Sequence, residues 1–404
     1  MVLYQKGKVD DAIALYRQAL ALNPAFEEAL SNLGAALDAK GKDEEAVTDL
    51  NKAIALKPTD AVSASNLGLA LYHEKKYADS VSAYQKAIAL NPKFAQAYNG
   101  LGAAYSASGN EPDAITAFRK AIELSPHYAD ALSNLGTALV ATEKWDEAIP
   151  VYEKALELSP KAEDLRSNYA TALQHAGRTD DAVAQYQKVV AADPDDAHSW
   201  FELGHLQYKQ GHVDDAVTSF QKSLALKPDR PDVDFNLALA YQDQGKLDEA
   251  IAQYQKGLAQ KPNDAHALYN LANTYLLAKN PAKAAEYFQK AADAQPDFTQ
   301  ALVGLGAAKM DLGDLDGAQT ALTKAVAEQP NNADALFNLG NVFFNKGKYG
   351  PAADNYREAI RANPNFARAH FNRAMALSRL NDNDGAKAEF KEATRLDPTL
   401  VAPN

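Results

Sequence analysis

Twelve of the chain's eighteen prolines stand at Pro24, Pro58, Pro92, Pro126, Pro160, Pro194, Pro228, Pro262, Pro296, Pro330, Pro364 and Pro398, each 34 residues after the last. A period of that size marks a repeat architecture rather than one globular core. Counted from three residues after each proline, eleven complete units run from Glu27 to Leu400, behind a partial unit that Met1 enters at position 9. Position 8 is always glycine or alanine, as at Gly34, Gly136 and Ala238, and position 20 is alanine in every complete unit except at Ser80. Two small residues twelve apart let two antiparallel helices approach closely, and a large residue at position 24, such as Tyr84, Phe118, Tyr152 or Phe288, fills the space beside them. Position 15 is usually glycine, from Gly41 to Gly347, where a left-handed C-cap closes the first helix. An acidic residue follows at position 18, as at Asp146 and Asp214, near the positive end of the second helix dipole, and the periodic proline stops that helix. Each unit is predicted to be a helical hairpin.

Composition removes several function classes. The chain is 47% hydrophobic and 23% charged, as befits a folded protein, and no stretch approaches the roughly 18 unbroken apolar residues of a membrane-spanning helix. No membrane insertion is expected. The net charge of -12, with no basic run, opposes a nucleic-acid partner, because binding a phosphate backbone needs clustered Lys and Arg. With no cysteine there is no disulfide framework and no thiol chemistry. The first ten residues lack a basic segment followed by an apolar run, so no targeting signal is read; the cytoplasm is expected, with the periplasm open if the native chain extends upstream.

Small residues at positions 8 and 20, an aromatic at 24, alanine at 27 and proline at 32 resemble the tetratricopeptide repeat (TPR) family, and the resemblance covers nearly the whole chain. It implies an all-α fold, an α-solenoid of 34-residue helix-turn-helix repeats forming a right-handed superhelix. The family's aromatic at position 4 is mostly Leu or Ala here, with Trp200 and Tyr98 as exceptions. The expected organisation is a partial repeat over 1–26, ten repeats over 27–366, a C-terminal capping repeat over 367–400 and a tail at 401–404. The cap is read from Arg373, Lys387 and Thr394, polar residues at positions 7, 21 and 28, where the other repeats are mostly apolar. At the other end Val2, Leu3 and Tyr4 belong to a helix missing its first two turns. Either the start has been trimmed or misassigned, or the partial helix is frayed and Asp11 to Leu22 forms an unpaired helix as a makeshift cap; this end also offers a face for self-association.

A search for chemistry returns little. Gly100-Leu101-Gly102 and Gly304-Leu305-Gly306 echo half of a dinucleotide fingerprint but lie inside a helix with no strand before them. Paired acids such as Asp180-Asp181 open second helices, where the dipole accounts for them. His198, Glu202 and His205 share one helix face, yet the two histidines stand about 10.5 Å apart along the axis, too far to share an ion. No catalytic residue, no metal site and no cofactor is expected, and the chain reads as a binder of proteins or peptides rather than an enzyme.

By resemblance to the family, positions 2, 5, 6, 9 and 12 of the first helices line a concave surface. Position 6 is asparagine at Asn32, Asn66, Asn134, Asn168, Asn236, Asn270, Asn338 and Asn372, broken by Gly100, Glu202 and Gly304. An asparagine amide both donates to and accepts from a peptide backbone. This row looks like the asparagine ladder of the repeat domain of O-linked N-acetylglucosamine transferase, with Asn341 extending it; the alternative is that these amides tie one repeat to the next. Position 5 changes from Ser31, Ser65, Asn99, Ser133 and Ser167 to Phe201, Phe235, Tyr269, Val303, Phe337 and Phe371. The aromatic residues are expected to anchor a partner segment within residues 197–380, unless they pack against neighbouring helices. The Lys and Arg clamp by which some relatives hold a C-terminal carboxylate is missing, since Arg368 stands alone at those positions. The expected function is a protein–protein interaction scaffold that binds an extended peptide or partner segment. The alternatives are a substrate-recruiting or regulatory arm of a larger enzyme, and a self-assembling structural solenoid.

Overall fold

The repeat at residues 265–298 shows why the sequence folds as it does. Asp264 accepts a hydrogen bond from the Ala267 amide at 2.9 Å and starts the first helix, Ala265–Leu277. Lys279 then turns the chain with φ at 57°, and Asn280 caps the second helix, Pro281–Ala294, whose first residue is a proline that needs no amide partner. The computed structural model describes residues 8–401, and this hairpin recurs through them: 23 helices, with no strand among the described residues.

Every hairpin turns through a residue with positive φ. Seven of these are the expected glycines, Gly41, Gly109, Gly177, Gly211, Gly245, Gly313 and Gly347, and Lys75, Glu143, Lys279 and Asn381 take the same conformation at the equivalent place. The hairpin imposes this geometry even where the side chain disfavours it.

The small residues act as expected. A Cβ on Gly136 would lie 2.5 Å from the Tyr152 ring and one on Gly340 would lie 2.6 Å from Tyr356, so the position 24 ring fills the space that position 8 vacates. The position 20 alanines, Ala46 and Ala148 among them, are wholly buried. At Ser80 the hydroxyl donates to the Gly68 carbonyl at 2.6 Å and stays buried without an unmet hydrogen bond.

The contacts group the chain into two compact units, residues 1–194 and 195–404. Within each, every hairpin packs on its sequence neighbours, and the first helices of successive repeats touch one another. Ser63 donates to Ser31 at 2.8 Å across one such contact. The first-helix face is thus the tighter side of each stack.

The helix Val9–Leu22 rests on the first complete repeat through Val9, Ile13, Tyr16 and Leu20. Val2, Leu3 and Tyr4 lie outside the described residues. In the last repeat the second helix, Asn383–Leu396, buries only Ala386 and Ala393. Arg373 there bonds Glu389, and Thr394 donates to the Leu400 carbonyl at 2.7 Å. The Arg373 Nε nitrogen is enclosed without a partner among the described residues, so the polar groups of this repeat are only partly met inside it.

Candidate functional site

A first helix has one stripe that faces neither its partner helix nor the next repeat. Positions 3, 7, 8, 10 and 11 are mostly buried, which leaves positions 2, 6, 9 and 13, at helical spacing, on the open side. Position 6 is the middle of that stripe. Asn32, Asn66, Asn134, Asn236, Asn270, Asn338 and Asn372 are half-buried there and Asn168 is exposed.

The amides fall into two groups. Asn134 donates to Asn99 of the preceding repeat at 3.0 Å, and Asn372 donates to Asn341 at 2.8 Å. Asn341 also accepts from the Tyr356 hydroxyl at 2.8 Å, and Asn236 donates to the Asp232 carbonyl one turn back, again at 2.8 Å. Asn32, Asn66, Asn168, Asn270 and Asn338 make no side-chain hydrogen bond among the described residues.

The position 5 rings sit half-buried at the edge of the stripe, each against the position 24 ring of its own hairpin. Centroids are 6.1 Å apart for Phe201 and Phe220, 6.4 Å for Phe235 and Tyr254, and 5.6 Å for Tyr269 and Phe288. The same pairing holds at 5.8 Å for Phe337 and Tyr356 and at 5.3 Å for Phe371 and Phe390. Arg230, held bidentately by Asp232, lies 5.1 Å over the Phe201 ring and holds the Asp232 carboxyl below the ordinary carboxylate range. These rings therefore give one face to the core. In the first unit the same position is small and polar, and Ser31 and Ser65 are buried.

Hollows open on this face in both units. In residues 195–404 a cavity of 410 Å³ brings together Asn341, Phe371 and Asn372 with Met310, Phe344, Tyr356 and Met375. In residues 1–194 a larger one of 690 Å³ is lined by Asn66, Asn99 and Asn134, by Tyr72, Tyr84 and Tyr128, and by Val62 and Leu69 at its rim. Val62 and Leu69 are 51% and 41% exposed, and burial raises the pKa of the Tyr84 phenol. Sequence reasoning placed no partner-contacting aromatic in this unit. The signal was Gly100: a Cβ at that position would clash with the Tyr84 ring, so the break in the asparagine row is where a ring from the second helix of the preceding repeat, Tyr77–Leu90, reaches the face.

The histidine group dissolves. His198 is exposed and His205 half-buried, and their donors do not converge with that of Glu202 on a common point among the described residues. Burial and the Lys209 charge hold the pKa of His205 below its ordinary value. The most buried carboxylate among the described residues, Asp234, is engaged internally by Gln253, Lys256 and Gln260.

Comparison with known proteins agrees with this architecture. Family models described as tetratricopeptide or TPR repeat match residues 2–109, 93–161, 139–203, 275–336, 340–381 and 367–400. The TPR domain of cytochrome c-type biogenesis protein H matches residues 186–297. No curated protein matches the chain. Among solved structures, the C-terminal part of a TPR repeat-containing protein from Cytophaga hutchinsonii is 19% identical, with a TM-score of 0.53 over 59% of this chain and 98% of that one. YrrB, a TPR protein described as having an unusual peptide-binding site, is 26% identical over 48% of this chain and 97% of its own, with a TM-score of 0.43. MamA is 28% identical over 40% and 95%, with a TM-score of 0.39. With repeat matches running along almost its entire length and a helical hairpin at every one of them, the chain belongs to the tetratricopeptide repeat family, whose α-solenoids serve as scaffolds for protein–protein interaction.

Proposed function

We propose that the first-helix face holds extended peptide segments of partner proteins, with the asparagine row gripping the peptide backbone and the two cavities accepting side chains. The observation that carries this reading is the set of five position 6 amides with no side-chain hydrogen bond among the described residues, Asn32, Asn66 and Asn168 in the first unit and Asn270 and Asn338 in the second, each on the open face of its own repeat. A free amide on a packed face can donate to a peptide carbonyl and accept from a peptide N–H.

The magnitudes say that both parts are needed. A backbone hydrogen bond nets about 0.5 to 1.5 kcal/mol while ordering a peptide residue costs about 1 to 2 kcal/mol, so the amides alone hold nothing. A side chain buried in a hollow adds about 1.5 to 3 kcal/mol, and two or three of them approach the roughly 8 kcal/mol of micromolar binding. Phe371 is a wall of one hollow, and the half-buried rings of Phe201, Phe235, Tyr269 and Phe337 offer further apolar surface at the edge of the same face.

The test is a panel of labelled peptides of unrelated sequence titrated by fluorescence anisotropy against Asn270→Ala, Asn338→Ala and their double variant. Uniform weakening of about tenfold in the double variant, with unchanged melting, is expected. Loss of stability with no uniform loss of affinity refutes the backbone grip. A second reading, self-association, has its own observation: Leu15 and Leu22 of the helix Val9–Leu22 are 52% and 90% exposed. Sedimentation across a concentration series separates it, because a monomer at all concentrations excludes it.

A further inference from the structure

Asp38 ends one first helix, Glu27–Asp38, and Asp43 begins the second helix of the same hairpin, Asp43–Leu56. His73 ends the first helix of the next repeat, Ala61–His73. Thirty-five residues separate Asp38 from His73, yet His73 Nδ1 lies 2.8 Å from Asp38 Oδ1, and donor atoms of all three side chains lie within 4.8 Å of one another. Asp38 is only 7% exposed. The Oδ1 atom of Asp43 is enclosed and has no hydrogen-bond partner among the described residues.

Among the described residues no lysine or arginine pairs with these two carboxylates. Lys40 is paired with Asp10 at 3.0 Å, Lys42 with Glu45 at 3.4 Å and Lys76 with Glu74 at 2.9 Å. Burial and the neighbouring Asp43 charge both disfavour a charged Asp38, and the imidazole is the one group that offsets them. An enclosed carboxylate oxygen with nothing to bond, beside a second carboxylate and an imidazole nitrogen, is a costly arrangement without a further positive charge.

We propose that Asp38, Asp43 and His73 form a binding site for a divalent transition-metal ion of the zinc type. Two carboxylates balance the charge of the ion, and one imidazole with two carboxylate oxygens is a donor set that such ions accept at about 2.0 to 2.2 Å. His73 is exposed and Asp43 half-buried, so both side chains can turn the short distance needed to close on an ion while Asp38 stays fixed. The open side admits water as the remaining ligand. For Nδ1 to ligate it must carry no proton: a neutral imidazole keeps its proton on Nε2 and none is released, whereas a proton held on both ring nitrogens or on Asp38 is given up to solvent as the ion binds. The ion would fasten the hairpin of residues 27–60 to the first helix of the following repeat, a staple near the beginning of the described array. His73 also packs edge-on against Tyr72, at 5.8 Å between centroids, and Tyr72 lines the 690 Å³ cavity.

The experiment uses the full chain stripped with a chelator and titrated with zinc chloride by calorimetry in two buffers of different ionisation enthalpy, with magnesium chloride as the oxygen-preferring control. Zinc binding at one site that raises the melting temperature, with magnesium doing neither, is expected. His73→Gln and Asp43→Asn, both at surface-reaching positions, should each weaken zinc at least about tenfold while the helical spectrum is kept. Asp38→Asn should abolish it, and His198→Gln controls for histidines elsewhere. The inference is overturned if zinc neither binds nor shifts the melting temperature, or if binding survives His73→Gln and Asp43→Asn unchanged.

Discussion

Phe235 is the residue at which packing and partner binding can be told apart by a single thermodynamic cycle. Its ring is half-buried on the core of the second unit, and it leans on Gly257, which stands at position 27, where the family pattern has alanine. A Cβ placed on Gly257 would lie 2.8 Å from Phe235 Cδ1, closer than real Cβ contacts allow. Gly257→Ala alone therefore gains the helical propensity of alanine, about 1 kcal/mol, and loses about 1 to 3 kcal/mol to overpacking. Phe235→Ala alone costs about 2 to 3 kcal/mol, below the range for a fully buried ring because half the ring already meets water. In the double variant the clash is gone and the propensity gain survives, so the loss should be smaller than the sum by about 1 to 3 kcal/mol.

A repeat array need not unfold as one unit, so the cycle is best read locally, by hydrogen exchange in the helices Pro231–Asp243 and Leu247–Gln260 alongside thermal melts. Additive losses would refute the packing of ring on glycine and return Phe235 to the role of a free groove anchor. In that case Phe235→Ala would change peptide affinity with little change in exchange.

Three further outcomes follow from particular contacts. Gly100→Ala should destabilise the first unit by about 1 to 3 kcal/mol because its Cβ meets the buried Tyr84 ring, whereas Gly350→Ala, with nothing within 4 Å, should stabilise the helix Tyr349–Ala362 by about 0.5 to 1 kcal/mol; parallel melts decide both. Pro150 is exposed inside the helix Trp145–Leu158, so Pro150→Ala restores an amide donor and should add up to about 3 kcal/mol, seen as a higher denaturant midpoint. His205 is held below its free pKa of about 6.5, so the unfolded chain gains a proton that the folded chain refuses: stability should fall with acidification just below that value and be flat above it, and denaturant titrations of His205→Gln should lack the fall.

The hairpins were legible because each depends on residues close together in sequence and repeated eleven times. A glycine at position 8 and a ring at position 24 belong to one hairpin, and the turn glycine acts on its own backbone. The turns at Lys75, Glu143, Lys279 and Asn381 show the limit of that reasoning: their positive φ comes from the flanking helices, and nothing in a lysine or glutamate signals it.

The candidate site was legible only as a stripe. Position 6 falls in the middle of the open face, so its asparagines could be placed, but whether an amide is free depends on its neighbour: Asn372 meets Asn341 and Asn134 meets Asn99, while Asn270 meets nothing comparable. Position 5 lies on the border between the open face and the partner helix, where a few degrees of rotation decide burial. Serine there is buried in the first unit, at Ser31 and Ser65, and a ring there is half-covered in the second. The volume of the residue, as much as its position, sets how much of it remains for a partner. The cavity in the first unit follows the same logic in reverse, since Gly100 at position 6 leaves room for Tyr84 of the preceding repeat, and Tyr128 joins it from the end of Gly100's own repeat. Binding chemistry in such a stack is written as much in the residues that withdraw from the face as in those that occupy it, and Gly100 is the position where that can be tested by adding one methyl group.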